Sequence, residues 1–254
     1  MKIGLVKHLN AHPLDHGFRK SGKHDLVEDS PARLYAMLSE GSLSTALISS
    51  VECLRNRHRF GFCSSVGVCC DGELRSILYF EAADNSAAAL PSGNGTVFAD
   101  SGSRSSVALL QVLYHTSRGA LPDIRSTDPE KIPEMVLKSP GTGGLLIGDA
   151  ALRFSMRDDI QDFRIRDLGQ WWKEVEGLPF VFALWAYPLE ATLEDSLFEG
   201  SLEVGLKRME EIIEASEFDF ARQYLTELLH YRLDTPEWKA LQRFQERLQA
   251  LDLL

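Results

Sequence analysis

Two short apolar runs, far apart along the chain, constrain its fold more than any other feature. The first is Arg75-Ser76-Ile77-Leu78-Tyr79-Phe80, which follows a turn signal at Asp71-Gly72. The second is Pro179-Phe180-Val181-Phe182-Ala183-Leu184-Trp185. Both have the length and residue types of buried strands. Read together, they are crossing strands of one hinge between two lobes, with a cleft between the lobes and Ser76 at its floor. Residues 81–187 then form an inserted second lobe, and residues 1–80 with 188–254 form a discontinuous first lobe. The 254 residues suit this division, since domains run to roughly 100–150 residues.

The intervening pattern is α/β. Lys2-Ile3-Gly4-Leu5-Val6 reads as a buried strand, and Pro13 suits the first turn of the helix that follows. Asp29-Ser30-Pro31 is a helix start, Leu34, Met37 and Leu38 fall at helical spacing, and Gly41 closes that helix. Thr45-Ala46-Leu47-Ile48 is a second buried strand, followed by a helix from Val51. Consecutive strand–helix units predict parallel pairing. Residues 60–80 are strand-rich, and the small and polar stretch from Ala82 to Gly95 reads as helix and then turn. Thr96-Val97-Phe98-Ala99 and Gly144-Leu145-Leu146-Ile147 are further strands. The first of these leads into a helix with the apolar stripe Val107, Leu109, Leu110, Leu113 and Tyr114. Residues 190–254 read as helices, one opened by capping-box spacing at Ser216-Glu217-Phe218-Asp219. Another starts at Asp234-Thr235-Pro236-Glu237.

A net charge of −10 argues against a nucleic-acid surface, which needs a basic stripe. It leaves room for a small anionic ligand, because helix N-termini and single basic residues invert the field locally. No apolar run reaches the length of a membrane span, so no membrane insertion is expected. The opening residues lack the pattern of a signal peptide, which leads us to expect a cytoplasmic protein. Cys53, Cys63, Cys69 and Cys70 match no zinc spacing and read as buried apolar groups. His8, His12 and His16 are spaced as metal ligands on one helix face would be, but Pro13 interrupts that helix, so no metal site is expected. There is no Gly-x-Ser-x-Gly elbow, no dinucleotide loop and no phosphate-binding Gly-x-x-x-x-Gly-Lys. Trp171 and Trp172 read as packing aromatics.

Four strand-to-helix junctions remain: Asn10, Ser49-Ser50, Ser103 to Ser106, and Gly148-Asp149. Ligands of open parallel sheets bind beyond the carboxyl ends of the strands. Each junction also offers a helix N-terminus with free N–H groups. Serine and asparagine at such places often only cap the helix. Four junctions facing one cleft point instead to a carboxylate- or phosphate-bearing ligand held by Ser49, Ser50, Ser103, Ser105, Ser106, Gly148 and Asp149. Arg75 is placed either to fork onto a ligand carboxylate or to form a surface ion pair.

Several of these segments resemble the chorismate dehydratases of the futalosine route to menaquinone. Val6 to Leu14 resembles that family's strand followed by Leu-Asn-x-x-Pro-Leu, and Asp71 to Ser76 its Gly-x-Val-Arg-Ser segment. Leu146 to Leu152 is similar to its Ile-Gly-Asp-Ala-Ala-Leu. The run from Asp167 to Trp172, then Gly177 to Trp185, resembles its longest signature, and Tyr224-Leu225 with Tyr231-Arg232-Leu233 resembles its tail. Lys7-His8 departs from the Ser or Tyr expected there, and Ser105-Ser106 stands in place of Thr-Ser.

The resemblance implies a two-lobe fold like the type II periplasmic binding proteins, with a central cleft and C-terminal helices. It implies dehydration of chorismate, a small dicarboxylate, to 3-[(1-carboxyvinyl)oxy]benzoate by a carbon–oxygen lyase. It also implies that Asn10 and Ser76 are the catalytic pair. No metal or organic cofactor is called for. Two other classes stay open: a non-catalytic binding protein for a small carboxylate, and the naphthoate synthase acting later in the same route. Oligomeric state is not encoded in any motif found.

Overall fold

A computed structural model of the chain describes residues 1–83 and 95–254. Most of the helix and turn expected between Ala82 and Gly95 lies outside the described residues. The strands are β1 (Lys2–Val6), β2 (Asp25–Asp29), β3 (Thr45–Ser49), β4 (Phe60–Cys70), β5 (Ile77–Ala82), β6 (Thr96–Asp100), β7 (Asp123–Thr127), β8 (Gly143–Ile147), β9 (Phe163–Asp167), β10 (Phe180–Pro188) and β11 (Leu229–Arg232). The helices are α1 (His12–Ser21), α2 (Pro31–Ser39), α3 (Ser50–Arg55), α4 (Ser105–Arg118), α5 (Ile132–Lys138), α6 (Gly148–Ser155), α7 (Leu168–Glu176), α8 (Asp195–Lys207), α9 (Met209–Glu214), α10 (Ala221–Gln223) and α11 (Thr235–Ala250).

Among the described residues the strands form two sheets, ordered β11-β4-β10-β3-β1-β2 and β7-β6-β8-β5-β9. β1 pairs in parallel with β2 and β3, and β6 with β7 and β8, as consecutive strand–helix units require. Both apolar runs are strands, but neither is a hinge. β5, which begins at Ile77, lies inside the five-stranded sheet, between β8 and β9. β10 lies inside the six-stranded sheet, between β3 and β4. A strand this apolar is stable only when covered and paired on both edges, so it belongs wholly to one sheet. The chain therefore changes sheets in the short segments on either side of these runs, before Ile77 and after α7. The sheet boundaries accordingly differ from a division at residues 80/81 and 187/188.

Asp167, at the end of β9, holds the first crossing and caps the helix that leads to the second. One carboxylate oxygen accepts hydrogen bonds from the N–H groups of Leu74 (3.0 Å) and Arg75 (2.6 Å) in the first crossing. The other accepts from Gln170 N–H at 3.1 Å and caps α7. Burial raises the Asp167 pKa, opposed by these backbone donors. Around it the packing leaves no room: a Cβ on Gly169 would sit 2.4 Å from the Gly72 carbonyl oxygen. Trp172 is buried and donates from Nε1 to the Pro179 carbonyl at 2.8 Å, fixing α7 to the second crossing.

The main core runs from the six-stranded sheet through α4 and α7 onto one face of the five-stranded sheet. A smaller cluster around Phe80, Phe154 and Phe163 covers the opposite face. The C-terminal segment braces the first half. α8 packs so closely on α1 that a Cβ on Gly205 would meet the Pro13 carbonyl oxygen at 2.0 Å. Ser201 Oγ donates to Leu14 O at 2.7 Å and accepts from Phe18 N–H at 3.2 Å.

Residues 190–254 are not all helical. Ser216 makes only a local turn, its Oγ accepting from Phe218 N–H at 3.2 Å. The helix expected after it is short α10, then a π-helical turn at Tyr224–Leu228, then β11. The capping box forms at Asp234 and Glu237 instead. All four cysteines are buried and free, and burial pushes the Cys63 thiol up to about 11.

Asp167→Ala removes a helix cap and strands two crossing N–H groups, so it is expected to destabilise the protein by at least roughly 2 kcal/mol. Urea unfolding of the variant beside the parent protein measures this, and an unchanged midpoint would contradict the clamp.

Candidate active site

Four strand ends of the two sheets meet at one cleft, as open parallel sheets dictate. The cleft has an outer and an inner part. The outer cavity holds about 700 Å³ and is lined in part by Lys7, His8, Asp100, Asp149, Arg153 and Arg157. The inner one holds only about 60 Å³, room for about two waters at roughly 30 Å³ each. His8 belongs to both walls.

The inner wall is chemically simple. Among the residues lining it, His8 and Arg104 are the only ionisable ones, and no carboxylate is present. Arg104 precedes α4, carries no ion pair among the described residues, and leaves the first turn of α4 without a side-chain cap. A cation beside uncapped N–H groups, with no competing carboxylate, is a site for an anion. Nothing in the serine-rich sequence of this junction singled out Arg104; its position at the cavity does.

Asn10 lines the inner cavity from the end of β1. Ser76 lies directly behind, fully buried, with its hydroxyl unpaired. Its carbonyl accepts from Gly148 N–H at 2.7 Å. Arg75 has a left-handed backbone (φ 65°), which a non-glycine residue adopts only when its surroundings impose it. That turn directs the Arg75 side chain outward, onto Glu73 at 2.9 Å and over the Phe220 ring. Arg75 is thus a surface ion pair and does not line the cleft.

The serines divide. Ser49 lines the inner cavity with a buried, unpaired hydroxyl, and Ser106 lines it too. Ser103 is buried and unpaired but touches neither cavity. Ser50 and Ser105 are committed to a seam between the halves. Ser50 Oγ donates to Val181 O at 2.6 Å, and Ser105 Oγ donates to Phe182 O at 3.0 Å. Ser105 Oγ also accepts from Val51 N–H at 3.2 Å. With their single protons spent on backbone carbonyls, these two hydroxyls have none to offer a ligand in this closed arrangement.

Gly148 and Asp149 form a second seam. The His8 ring lies against Gly148 (φ 55°), where a Cβ would meet its Cγ at 2.6 Å. Asp149 accepts from Leu9 N–H at 3.0 Å and so fixes the turn that carries Asn10. As an anion in the outer cavity it does not suit binding of a carboxylate. His8, His12 and His16 share no metal geometry: among the described residues no three potential ligands converge. No described helix is long and apolar enough to cross a membrane.

The family model described as menaquinone biosynthesis matches residues 1–250. Chorismate dehydratase of Thermus thermophilus is 28% identical, covering 97% of this chain and 94% of its own length. Chorismate dehydratase of Campylobacter jejuni is 23% identical, covering 99% and 95%. Protein AF1704 of Archaeoglobus fulgidus superposes with a TM-score of 0.75 at 15% identity, covering 100% and 98%. The periplasmic aliphatic sulphonate binding protein SsuA of Escherichia coli does so with 0.62 at 14%, covering 100% and 88%. The fold is therefore that of the periplasmic binding proteins.

Burial pushes the His8 pKa below the usual histidine range, against the attraction of Asp149 and helped by Lys7 and Arg153. Unfolded His8 titrates near pH 6.5, so between that value and its lower folded pKa the unfolded chain binds more protons. Its contribution to stability is thus lost as pH falls through that window. His8→Phe is expected to lose less thermal stability than the parent on going from about pH 7.5 to about pH 5. Equal losses in scanning calorimetry at the two pH values would contradict this.

Proposed function

Because the chain belongs to the menaquinone biosynthesis family, matched from residue 1 to 250, we propose that it removes water from chorismate, giving 3-[(1-carboxyvinyl)oxy]benzoate, between its two halves. The substrate name comes from the two relatives that align end to end. The observation that carries the chemistry is the make-up of the inner cavity: one unpaired arginine, one uncapped helix start, Asn10, and no carboxylate. This would be a carbon–oxygen lyase built on a binding-protein fold.

The reaction needs little besides geometry. The proton to be lost is acidified through the ring diene by the ring carboxylate, and the charge develops on that carboxylate. Arg104 and the α4 N–H groups hold it, so their attraction grows as the proton leaves. The C–H electron pair becomes a ring π bond as the neighbouring C–O bond breaks. The departing hydroxyl leaves with the proton as water, and the ring is aromatic. Asn10 donates from its side-chain amide to the departing oxygen, and Ser76 supports this edge of the site from below. No protein carboxylate lines the inner cavity, so the substrate's second carboxylate takes the proton from the ring carbon and passes it to the departing hydroxyl, with the protein fixing the geometry.

The inner cavity is too small for such a ligand, since pockets for small molecules hold about 300–1,000 Å³. The halves must part at the Ser50–Ser105 and Leu9–Asp149 seams for the substrate to enter.

Incubating purified protein with chorismate and following the product by mass spectrometry tests the reaction; tight binding without product would mark a non-catalytic binding protein. Asn10→Ala is expected to lower kcat by roughly 10²–10³-fold, as removal of a preorganised donor does. Arg104→Gln is expected to raise KM and also to lower kcat, so that kcat/KM falls by more than about tenfold, because the contact strengthens as charge develops. Parent-like kinetics for both would refute these roles. His8→Gln keeps kcat within about tenfold if the substrate supplies its own base, and a larger loss would assign the proton to His8.

A further inference from the structure

Behind Asn10 and Ser76 lies a third polar group. Tyr224 is fully buried, and its hydroxyl faces the side chains of Ser76 and Asn10. Neither that hydroxyl nor the Ser76 hydroxyl completes a well-aligned hydrogen bond within the protein. Two such groups, unsatisfied side by side in a core, are unfavourable unless a ligand-bound arrangement satisfies them. Neither lines the inner cavity itself, but Asn10, which the Tyr224 hydroxyl faces, does.

The backbone here is also unusual. Tyr224 opens the π-helical turn that replaces the expected regular helix, and its carbonyl accepts from Leu229 N–H, five residues on. Such turns are uncommon and concentrate at functional sites, because the extra residue re-aims one side chain. In this case the turn joins α10 to β11, whose residues pair with β4. β4 leads directly into the crossing that carries Ser76. The tyrosine is therefore held by the element adjoining the one that holds the serine.

We propose that Tyr224 is a positioning residue for the dehydration, acting through Asn10. In the closed, ligand-bound site Ser76 Oγ donates to the Tyr224 oxygen, and Tyr224 donates to Asn10 Oδ1. The Asn10 amide is thereby fixed with its N–H groups toward the cavity and the departing hydroxyl. Each donor in the chain is polarised by the next, which strengthens the final one. Burial raises the Tyr224 pKa, opposed by Ser76 and Asn10 and reinforced by the Asp149 charge. The phenol thus stays protonated and available as a donor. Tyr231, also buried with an unpaired hydroxyl, interacts with Tyr224 and brings no charge to it.

The kinetic consequence rests on the proposed reaction, whereas the orientation of Asn10 does not, so the two are tested by separate measurements. Tyr224→Phe removes one oxygen atom that makes no completed bond, so its melting temperature should equal or exceed that of the parent. With chorismate, its kcat should fall on the order of ten- to thirtyfold with KM little changed, less than the roughly 10²–10³-fold of a direct donor. The double variant with Ser76→Ala should be no worse than the weaker single variant by more than about twofold, because both act on the same amide. With benzoate bound as a non-reacting carboxylate, the Asn10 side-chain amide signals in a nitrogen–proton spectrum, assigned by their loss in Asn10→Asp, should shift in both Tyr224→Phe and Ser76→Ala. Parent-like kcat in Tyr224→Phe, additive losses, or unmoved Asn10 amide signals would each overturn the proposal. If the parent protein leaves chorismate untouched, the assigned reaction fails, and the amide signals still decide the orientation of Asn10.

Discussion

The Asp167 carboxylate is the point on which the arrangement of the two halves depends. A chain that crosses twice between sheets leaves backbone N–H groups at both crossings with no strand to pair with. One half-buried carboxylate satisfies two of them on the outward crossing and also caps α7, the helix that leads into the return crossing. It does so while holding a negative charge out of water, which burial alone would oppose. The conformation this enforces at Arg75 is strained, and the strain has a use: it turns the charged side chain out and Ser76 in. The buried hydroxyl beside the cleft is thus a product of how the chain is threaded.

The polar groups at the cleft fall into two populations. Ser105 and Asp149 are spent on bonds across the halves, Ser50 on one within the six-stranded half, and all three behave as part of the framework. Ser49, Ser76 and Tyr224 keep hydroxyls with no partner in the protein, Ser49 on the wall of the inner cavity, Tyr224 facing that wall's Asn10, and Ser76 next to Tyr224. Native cores rarely tolerate such deficits without a reason. The contrast between neighbours, Ser49 against Ser50 or Ser105 against Ser106, comes from helix and strand geometry, which sends adjacent side chains in different directions.

Much of the fold was legible in the sequence because its signals are local. The parallel strand–helix units around β1, β3, β6 and β8 follow from periodicity and from start signals such as Ser30-Pro31. Sheet membership of the two apolar runs was not legible, because an apolar strand says that it is buried but not which neighbours bury it. The C-terminal region misled for a related reason: the spacing from Ser216 to Asp219 matches a capping box, yet tertiary contacts with β4 draw the chain into β11 within a few residues. Asn10 and Ser76 were named through resemblance, and their roles stand as part of the proposed function. Arg104 and Tyr224 were hidden, one among serines that looked more like ligand donors and the other within an ordinary apolar stripe. Only their places beside the cavity distinguish them.

The smallness of the inner cavity has a kinetic meaning. With the main core running through α4 and α7, parting the two seams breaks far fewer contacts than separating the halves, which makes brief partings there the way in. Uptake of any ligand should then approach a ceiling set by how often the seams part, and adding more ligand will not lift it. A crystal that traps the closed form would exclude compounds soaked into it, so a bound state would have to be captured before the lattice forms.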